Sequence, residues 1–145
     1  MTDNTKYLAI DYGLSRIGVA VSDELKKFAF GRCVIENNIN TLAVLLKIIE
    51  EENISKIIIG LPVKLNFSKT HVTDDVINFA NAFRNFLVSQ NKLIEIILLD
   101  ERLTSKLAEY HIRNSGLKKS KRRDKNLVDL ISAEILLQNY LDSQK

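Results

Sequence analysis

The chain contains a single cysteine, Cys33, and only two histidines, His71 and His111. One cysteine cannot form an internal disulfide, and neither histidine has the neighbouring ligands that a zinc site requires. The sequence therefore argues against a disulfide-stapled secreted domain and against a Cys/His zinc centre. A reducing cytoplasm is the expected compartment.

Long hydrophobic runs are also absent. The longest aliphatic segments have the length of strands, and none approaches the roughly 20 residues that span a bilayer. Residues 2–5 are polar, and the start of the chain lacks the basic region and apolar run of a signal peptide, so we expect none. The chain has 145 residues, 46% of them hydrophobic, and shows no repeats or low-complexity tracts. We expect residues 1–145 to form a single domain with a substantial core.

The positive charge is concentrated in one segment. The whole chain has a net charge of +3, whereas residues 118–125 alone contain six basic residues and one acidic residue. The rest of the chain is therefore net acidic. This concentration favours an anionic partner such as nucleic acid, although a solvated loop rich in Lys and Arg explains it about as well. The basic residues are Lys118, Lys119, Lys121, Arg122, Arg123 and Lys125.

Hydrophobic periodicity predicts an α/β domain. The predicted strands are 6–11, 16–22, 28–35, 56–59 and 93–99, and the predicted helices are about 40–52, a segment around 76–87, about 104–114, and one that begins at 126. Three successive strands favour an antiparallel meander, and strands separated by helices favour parallel crossovers. We therefore expect a mixed five-stranded sheet flanked by helices.

Three carboxylates lie at or near the ends of apolar segments. Asp11 ends the first predicted strand, Glu101 follows the fifth, and Asp129 lies on the last amphipathic helix. Ligands of open α/β sheets bind at the carboxyl ends of the strands. Carboxylates brought to one point repel each other unless a divalent cation compensates their charge. We therefore predict a site for one or two Mg²⁺ or Mn²⁺ ions that acts on phosphate.

Each of these carboxylates also has a purely structural explanation. Asp11 fits a β-turn, and Glu101 could stabilise the start of the next helix or pair with Arg102 at the surface. Asp129 could lie in the first turn of its helix and complete a cap that begins at Asn126. The combination nevertheless favours a metal site, because three acids on three elements, with a basic segment before the third, exceed what capping requires.

These motifs, in this order and in a chain of this length, resemble the YqgF family. Its members are described as pre-16S rRNA nucleases or as RuvX-type Holliday junction resolvases, and they have an RNase H-like fold. The resemblance extends from Tyr7 to Leu141. The matching segments are 9–13 (Ala-Ile-Asp-Tyr-Gly), 16–21 (Arg-Ile-Gly-Val-Ala-Val), 58–62 (Ile-Ile-Gly-Leu-Pro), 100–104 (Asp-Glu-Arg-Leu-Thr), 128–129 with 132–133, and 135–138 with 140–141.

The resemblance implies a nuclease whose catalytic and metal-binding acids are Asp11, Glu101 and Asp129. It also places Arg16, Arg102 and the basic segment near the nucleic acid. The expected function is hydrolysis of phosphodiester bonds in 5′-end maturation of 16S precursor rRNA, by a monomer or homodimer that does not contact a membrane.

The sequence departs from the family pattern at two places. Residues 66–68 (Asn-Phe-Ser) stand where family members usually carry a Gly-Ser/Thr-type turn, and Leu127 stands where a basic residue often precedes the Val-Asp pair. The first departure bears on the shape of a loop, and the second on which cation reaches the phosphate.

Three other functions fit some of the same residues. A Holliday junction resolvase would use the same site on branched DNA, and a non-catalytic factor that binds RNA or the transcription machinery would keep the fold. The Asp-x-Gly turn also resembles the phosphate loop of sugar kinases and actin-like ATPases, but that architecture needs two such subdomains and a much longer chain.

Overall fold

The computed structural model describes residues 3–61, 71–100 and 125–144. The strands are β1 (Lys6–Tyr12), β2 (Arg16–Ser22), β3 (Ala29–Glu36), β4 (Ile54–Leu61) and β5 (Glu95–Asp100). The helices are α1 (Thr41–Glu52), α2 (His71–Ser89) and α3 (Lys125–Ser143). The helix predicted over about 104–114 lies outside the described residues. No helix in the described part of the chain is both long enough and apolar enough to cross a membrane.

The five strands form one mixed sheet in the order β3-β2-β1-β4-β5. β1 pairs antiparallel with β2, and β2 pairs antiparallel with β3. β4 pairs parallel with β1 and with β5. This topology confirms the predicted meander followed by parallel crossovers. It also makes β1 the central strand and brings the carboxyl ends of β1, β4 and β5 to the same edge.

Residues alternate between the two faces of the sheet, and each face has its own core. Leu8 and Ile10 of β1 belong to the larger cluster, which α1 and α2 cover with side chains such as Leu45 and Phe83. Ala9 of β1 belongs to the smaller cluster, which α3 covers with Ala133, Leu136, Leu137, Tyr140 and Leu141. Because side chains alternate along a strand, odd-numbered residues of β1 lie on the α3 face.

Helix α3 approaches the sheet so closely that two strands carry glycine beneath it. A Cβ atom built on Gly18 of β2 would lie 2.2 Å from the carbonyl oxygen of Asp129 and 3.5 Å from Cβ of Ala133. A Cβ atom on Gly31 of β3 would lie 2.7 Å from Cγ of Leu130. The contact at Gly18 is with helix backbone and permits only glycine, whereas the contact at Gly31 is with a side chain, so Gly18 is the stricter limit on how deeply α3 sits on the sheet.

The same helix covers the edge strand β3. The outward-facing amide of Ala29 donates a hydrogen bond to Oε1 of Gln138 at 2.9 Å, and that of Gly31 donates to Oε2 of Glu134 at 3.0 Å. These contacts satisfy donors that would otherwise offer a pairing edge to another chain. Helix α3 therefore packs on the sheet and also protects its edge.

We expect Gly18→Ala to destabilise the protein by about 2–3 kcal/mol, because the new methyl group meets helix backbone that cannot move without displacing α3. Gly31→Ala should cost only about 1 kcal/mol, since the atom it meets belongs to a side chain that can change rotamer. Urea denaturation of both variants measures the difference. Equal losses would show that α3 is free to shift on the sheet.

Glu52 joins the start of β1 to β3 at the end of α1. Its carboxylate accepts hydrogen bonds from Nζ of Lys6 at 3.0 Å and from Nε of Arg32 at 3.1 Å, and its side chain is 18% exposed. The hydrogen bond from Lys6 is the largest cause that lowers the pKa of Glu52 below its ordinary value of 4.5, against a smaller opposing effect of burial. This pair stabilises the fold while Glu52 is ionised.

Glu52→Gln should lower the free energy of unfolding at pH 7 by about 1 kcal/mol. A carboxylate whose pKa is lowered on folding contributes stability above its unfolded pKa, and this contribution is lost as the pH falls through the folded pKa. The difference in the free energy of unfolding between Glu52→Gln and wild type should therefore shrink as the pH falls below 4.5. Urea titrations at pH 7 and pH 3 test this, and a difference that persists at pH 3 would assign the effect to packing.

Candidate active site

Asp11 lies on the central strand, close to the edge where the parallel strands end. It is the penultimate residue of β1, and the alternation along the strand places it on the α3 face, as it does Ala9. Its cross-strand partner on β2 is Gly18. The half-buried carboxylate of Asp11 therefore stands beside a position that has no side chain.

Asp129 reaches the same patch from the helix. The contact between its carbonyl oxygen and Gly18 places this turn of α3 directly over the strand position that faces Asp11. Cross-strand partners in an antiparallel pair have Cα atoms about 5 Å apart. The structure thus places the backbone of two of the three acids that the sequence singled out next to the same residue, Gly18.

Arg16 binds the carboxylate of Asp129. The Nε atom of Arg16, at the first residue of β2, donates a hydrogen bond to Oδ2 of Asp129 at 2.8 Å. The turn that delivers Arg16 is tight, because a Cβ atom on Gly13 would lie 2.5 Å from the Arg16 carbonyl oxygen. A residue predicted to contact nucleic acid therefore pairs with a predicted metal ligand in this structure.

The capping interpretation of Asp129 is wrong. Helix α3 begins at Lys125 and has no acidic residue in its first turn, so Asp129 lies beyond the exposed amides that a cap would satisfy. Its carboxylate instead accepts the hydrogen bond from Arg16. The described partner of the Asp129 carboxylate is therefore a residue of β2 and not the start of its own helix.

The end of β5 lies at the same edge. Asp100 is the last residue of β5 and is aligned with Leu61 of β4, which in turn adjoins β1. Two strand spacings, about 10 Å, separate β5 from β1. Alternation places Asp100 with Leu98 on the α1/α2 face, opposite to Asp11. Of the adjacent acids Asp100 and Glu101, Asp100 is therefore not placed to share a metal site with Asp11.

The remaining predicted site residues lie outside the described part of the chain. They are Glu101, Arg102, Lys118, Lys119, Lys121, Arg122 and Arg123. Lys125 is described and is exposed at the first residue of α3, one turn before Asp129. Within the described ranges, no three His, Cys, Asp or Glu residues are close enough to hold a metal ion.

Ser132 is a site feature to which the sequence analysis assigned no role. It lies three residues after Asp129 on α3, its side chain is buried, and its Oγ has no hydrogen-bond partner among the described residues. A buried hydroxyl without a partner is costly, and such groups are uncommon away from functional sites. The sequence did contain a signal for this buried hydroxyl, because Ser132 lies on the helix next to the core residues Ala133 and Leu136.

An open depression lies beside the Arg16–Asp129 pair. Its volume is about 640 Å³, and its walls come from the β1–β2 turn, the end of β3 with the residues that follow, and the start of α3. Arg16, Glu36, Asn37 and Asn126 line it together with the apolar side chain of Leu14, which is 62% exposed. The depression thus combines amide, guanidinium, carboxylate and apolar groups beside the Arg16–Asp129 pair.

Comparison with known proteins identifies relatives over the whole described fold. The model of the RuvX family, described as Holliday junction resolvase, matches residues 5–143. A protein of Phocaeicola vulgatus named "Putative pre-16S rRNA nuclease" is 39% identical over 141 residues, which cover 97% of this chain and 98% of that protein. A second protein of this name, from Malacoplasma penetrans, is 37% identical over 142 residues, or 98% of this chain and 97% of that protein.

Solved structures share the fold at low sequence identity. The Fowlpox virus resolvase, in complex with Holliday junction DNA, aligns with a TM-score of 0.58 at 13% identity and covers 97% of this chain and 99% of that one. RuvC of T. thermophilus, in complex with a Holliday junction substrate, aligns with a TM-score of 0.54 at 14% identity, and the alignment covers 97% of this chain and 95% of that one. The expected RNase H-like sheet is confirmed.

Replacing the orphaned hydroxyl should stabilise the fold. We expect Ser132→Ala to raise the free energy of unfolding by about 1 kcal/mol, because alanine removes a buried donor and acceptor that no group satisfies and also favours the helix. Urea denaturation measures the change, with Ser143→Ala, whose hydroxyl bonds the Tyr140 carbonyl near the exposed end of α3, as the control. A loss of stability in Ser132→Ala would show that the hydroxyl has a structural partner.

Proposed function

The chain belongs to the RuvX family, and on this premise we propose that it is a metal-dependent nuclease that hydrolyses phosphodiester bonds in 16S precursor rRNA. The observation that supports this most directly is the placement of Asp11 and Asp129 on one patch over Gly18. The proposal includes a single domain that acts in the cytoplasm as a monomer or homodimer.

The chemistry of the site suits a hard divalent cation. Asp11 and Asp129 offer carboxylate oxygens, which Mg²⁺ and Mn²⁺ prefer, and the absence of a side chain at Gly18 lets the backbone of Asp129 approach the strand beside Asp11. We propose Glu101 as the third ligand, since it follows the last residue of β5 at the same edge. When bound, one or two such ions would activate water and stabilise the leaving oxygen of an in-line displacement.

The protein's own cations would bind and orient the nucleic acid. Arg16 pairs with Asp129 from β2, and Lys125 precedes Asp129 by one turn of α3. We assign Arg102 and the basic segment 118–125 to the same role. A guanidinium suits bidentate contact with phosphate, and several such contacts make affinity fall steeply with salt. The buried apolar floor formed by Ala9 and Ala133 excludes water beneath the carboxylates.

The substrate is proposed from two kinds of relative. Proteins that are 34–39% identical over nearly the whole chain carry the name pre-16S rRNA nuclease, which favours an rRNA precursor. The family description names Holliday junction resolvase, and this favours branched DNA as the second candidate. Both reactions are phosphodiester hydrolysis and would use the same three carboxylates.

Cleavage of two substrates by wild type and Asp11→Asn tests the proposal. The substrates are a 5′-extended small-subunit rRNA fragment and a synthetic four-way DNA junction, each with Mg²⁺, Mn²⁺ or EDTA. We expect metal-dependent cleavage of the RNA and a loss of at least about 100-fold in Asp11→Asn, because losing a direct ligand should cost no less than losing an outer-shell contact. Cleavage of the junction alone would favour the resolvase, and binding without cleavage would favour the non-catalytic factor.

Neighbouring acids at the end of β5 provide a matched control. Glu101→Gln should lose activity as Asp11→Asn does, whereas Asp100→Asn should retain it because Asp100 lies on the opposite face of the sheet from Asp11. Both changes remove one charge from adjacent positions. Activity that depends on Asp100 and not on Glu101 would overturn the assignment of the third ligand.

A further inference from the structure

We propose that Arg16 occupies the metal-binding carboxylate of Asp129 until a divalent cation displaces it, and that the displaced guanidinium then binds a phosphate of the nucleic acid. Metal and nucleic acid would thereby each strengthen the binding of the other. This inference rests on the proposed function, since it assumes that Asp129 is a metal ligand.

The first argument is competition for one oxygen. Nε of Arg16 lies 2.8 Å from Oδ2 of Asp129, which is hydrogen-bond distance for a charge-assisted pair. A cation coordinated by that oxygen would be close to the positive guanidinium, and the two charges repel at this range. Bound metal and the observed position of Arg16 therefore oppose each other.

The second argument is that the pair can open without disturbing the fold. The side chains of Arg16 and Asp129 are 36% and 23% exposed, so water can solvate both when they separate. The backbone next to Arg16 is held in place by the tight turn at Gly13 and by a backbone hydrogen bond, in which the N–H of Asn37 donates to the carbonyl oxygen of Ser15 at 2.9 Å. The exchange therefore requires a rotamer change of one side chain and no movement of a strand.

The third argument is that a destination for the guanidinium lies next to it. Arg16 lines the open depression of about 640 Å³, together with its cross-strand partner Glu36, with Asn37 and Asn126, and with the exposed surface of Leu14. This volume lies in the range of small-ligand sites, and its apolar groups and hydrogen-bonding groups, the Glu36 carboxylate among them, suit the base and sugar of a nucleoside. A phosphodiester whose nucleoside enters the depression would bring its phosphate to Arg16 beside the carboxylates.

A different role for Arg16 predicts the opposite result. If Arg16 served to hold the carboxylate of Asp129 in the orientation that binds metal, its removal would weaken metal binding. If Arg16 competes with the metal, its removal strengthens metal binding. The sign of the effect on metal affinity, measured without nucleic acid, separates the two roles.

The decisive experiment is calorimetric titration of the full chain with Mn²⁺. We expect Arg16→Gln to bind Mn²⁺ about two- to fivefold more tightly than wild type, which corresponds to the loss of a partly exposed ion pair. Arg32→Gln is the matched control, because Arg32 is 34% exposed and pairs with Glu51 and Glu52 through similar hydrogen bonds of 3.2 and 3.1 Å, on another part of the sheet. Its Mn²⁺ affinity should equal that of wild type.

The reciprocal measurement uses the rRNA fragment as the probe. Fluorescence anisotropy would give its affinity at increasing Ca²⁺, with the probe checked for integrity after each titration. Wild type should bind the fragment more tightly as Ca²⁺ increases. In Arg16→Gln the gain in affinity for the fragment on adding Ca²⁺ should be about two- to fivefold smaller, because coupling between two ligands is equal in both directions. Arg32→Gln should behave as wild type.

The outcomes distinguish this inference from the proposed function. Unchanged or weaker Mn²⁺ binding in Arg16→Gln overturns the competition, while loss of Mn²⁺ binding in Asp129→Asn would still support the metal site. Mn²⁺ binding that is absent in wild type, or unaffected by Asp129→Asn, overturns the assignment of Asp129 itself. If Arg16→Gln does not fold, Arg16→Lys replaces it: a lysine cannot reproduce the Nε contact, so tighter Mn²⁺ binding supports the exchange and unchanged binding overturns it.

Discussion

The contact between helix α3 and strand β2 at Gly18 is the constraint on which the rest of the site depends. Because the strand has no side chain there, the carbonyl oxygen of Asp129 comes within van der Waals distance of the sheet. The same contact places Asp129 over the cross-strand partner of Asp11. The same contact therefore sets both how deeply α3 packs and where Asp129 lies relative to Asp11. A larger side chain at position 18 would disturb both.

The two faces of the sheet have different tasks. The face under α1 and α2 carries the larger core, with fully buried aliphatic residues such as Leu8, Ile10 and Ile59. The face under α3 carries the smaller core and all of the described chemistry, including the unpartnered hydroxyl of Ser132. This division lets one face supply stability while the other retains groups that are unfavourable for folding alone.

Charge pairing at the site differs from charge pairing elsewhere in the described residues. Glu52 with Lys6 and Arg32, and Lys56 with the Tyr140 hydroxyl at 3.1 Å and with Glu95, connect elements of the scaffold. The Arg16–Asp129 pair instead lies beside the open depression of the candidate site, between a turn and the start of a helix. This position is the basis of the exchange with a metal ion and a phosphate that we propose.

The sequence alone determined the order of the described elements and the mixed sheet, and it singled out Asp11, Glu101 and Asp129 as candidate ligands. Alternation in β1 and β2, the β-branched run of β4 and the helical spacing of α1 and α3 are local signals, and the elements they predicted lie within about two residues of those observed. What only the tertiary structure decided was which groups meet. The partner of Arg16 is 113 positions away, and Asp129 looked like a cap until the helix start at Lys125 was known. Such contacts depend on how deeply α3 sits on Gly18, and periodicity carries no information about the distance between a helix and a sheet.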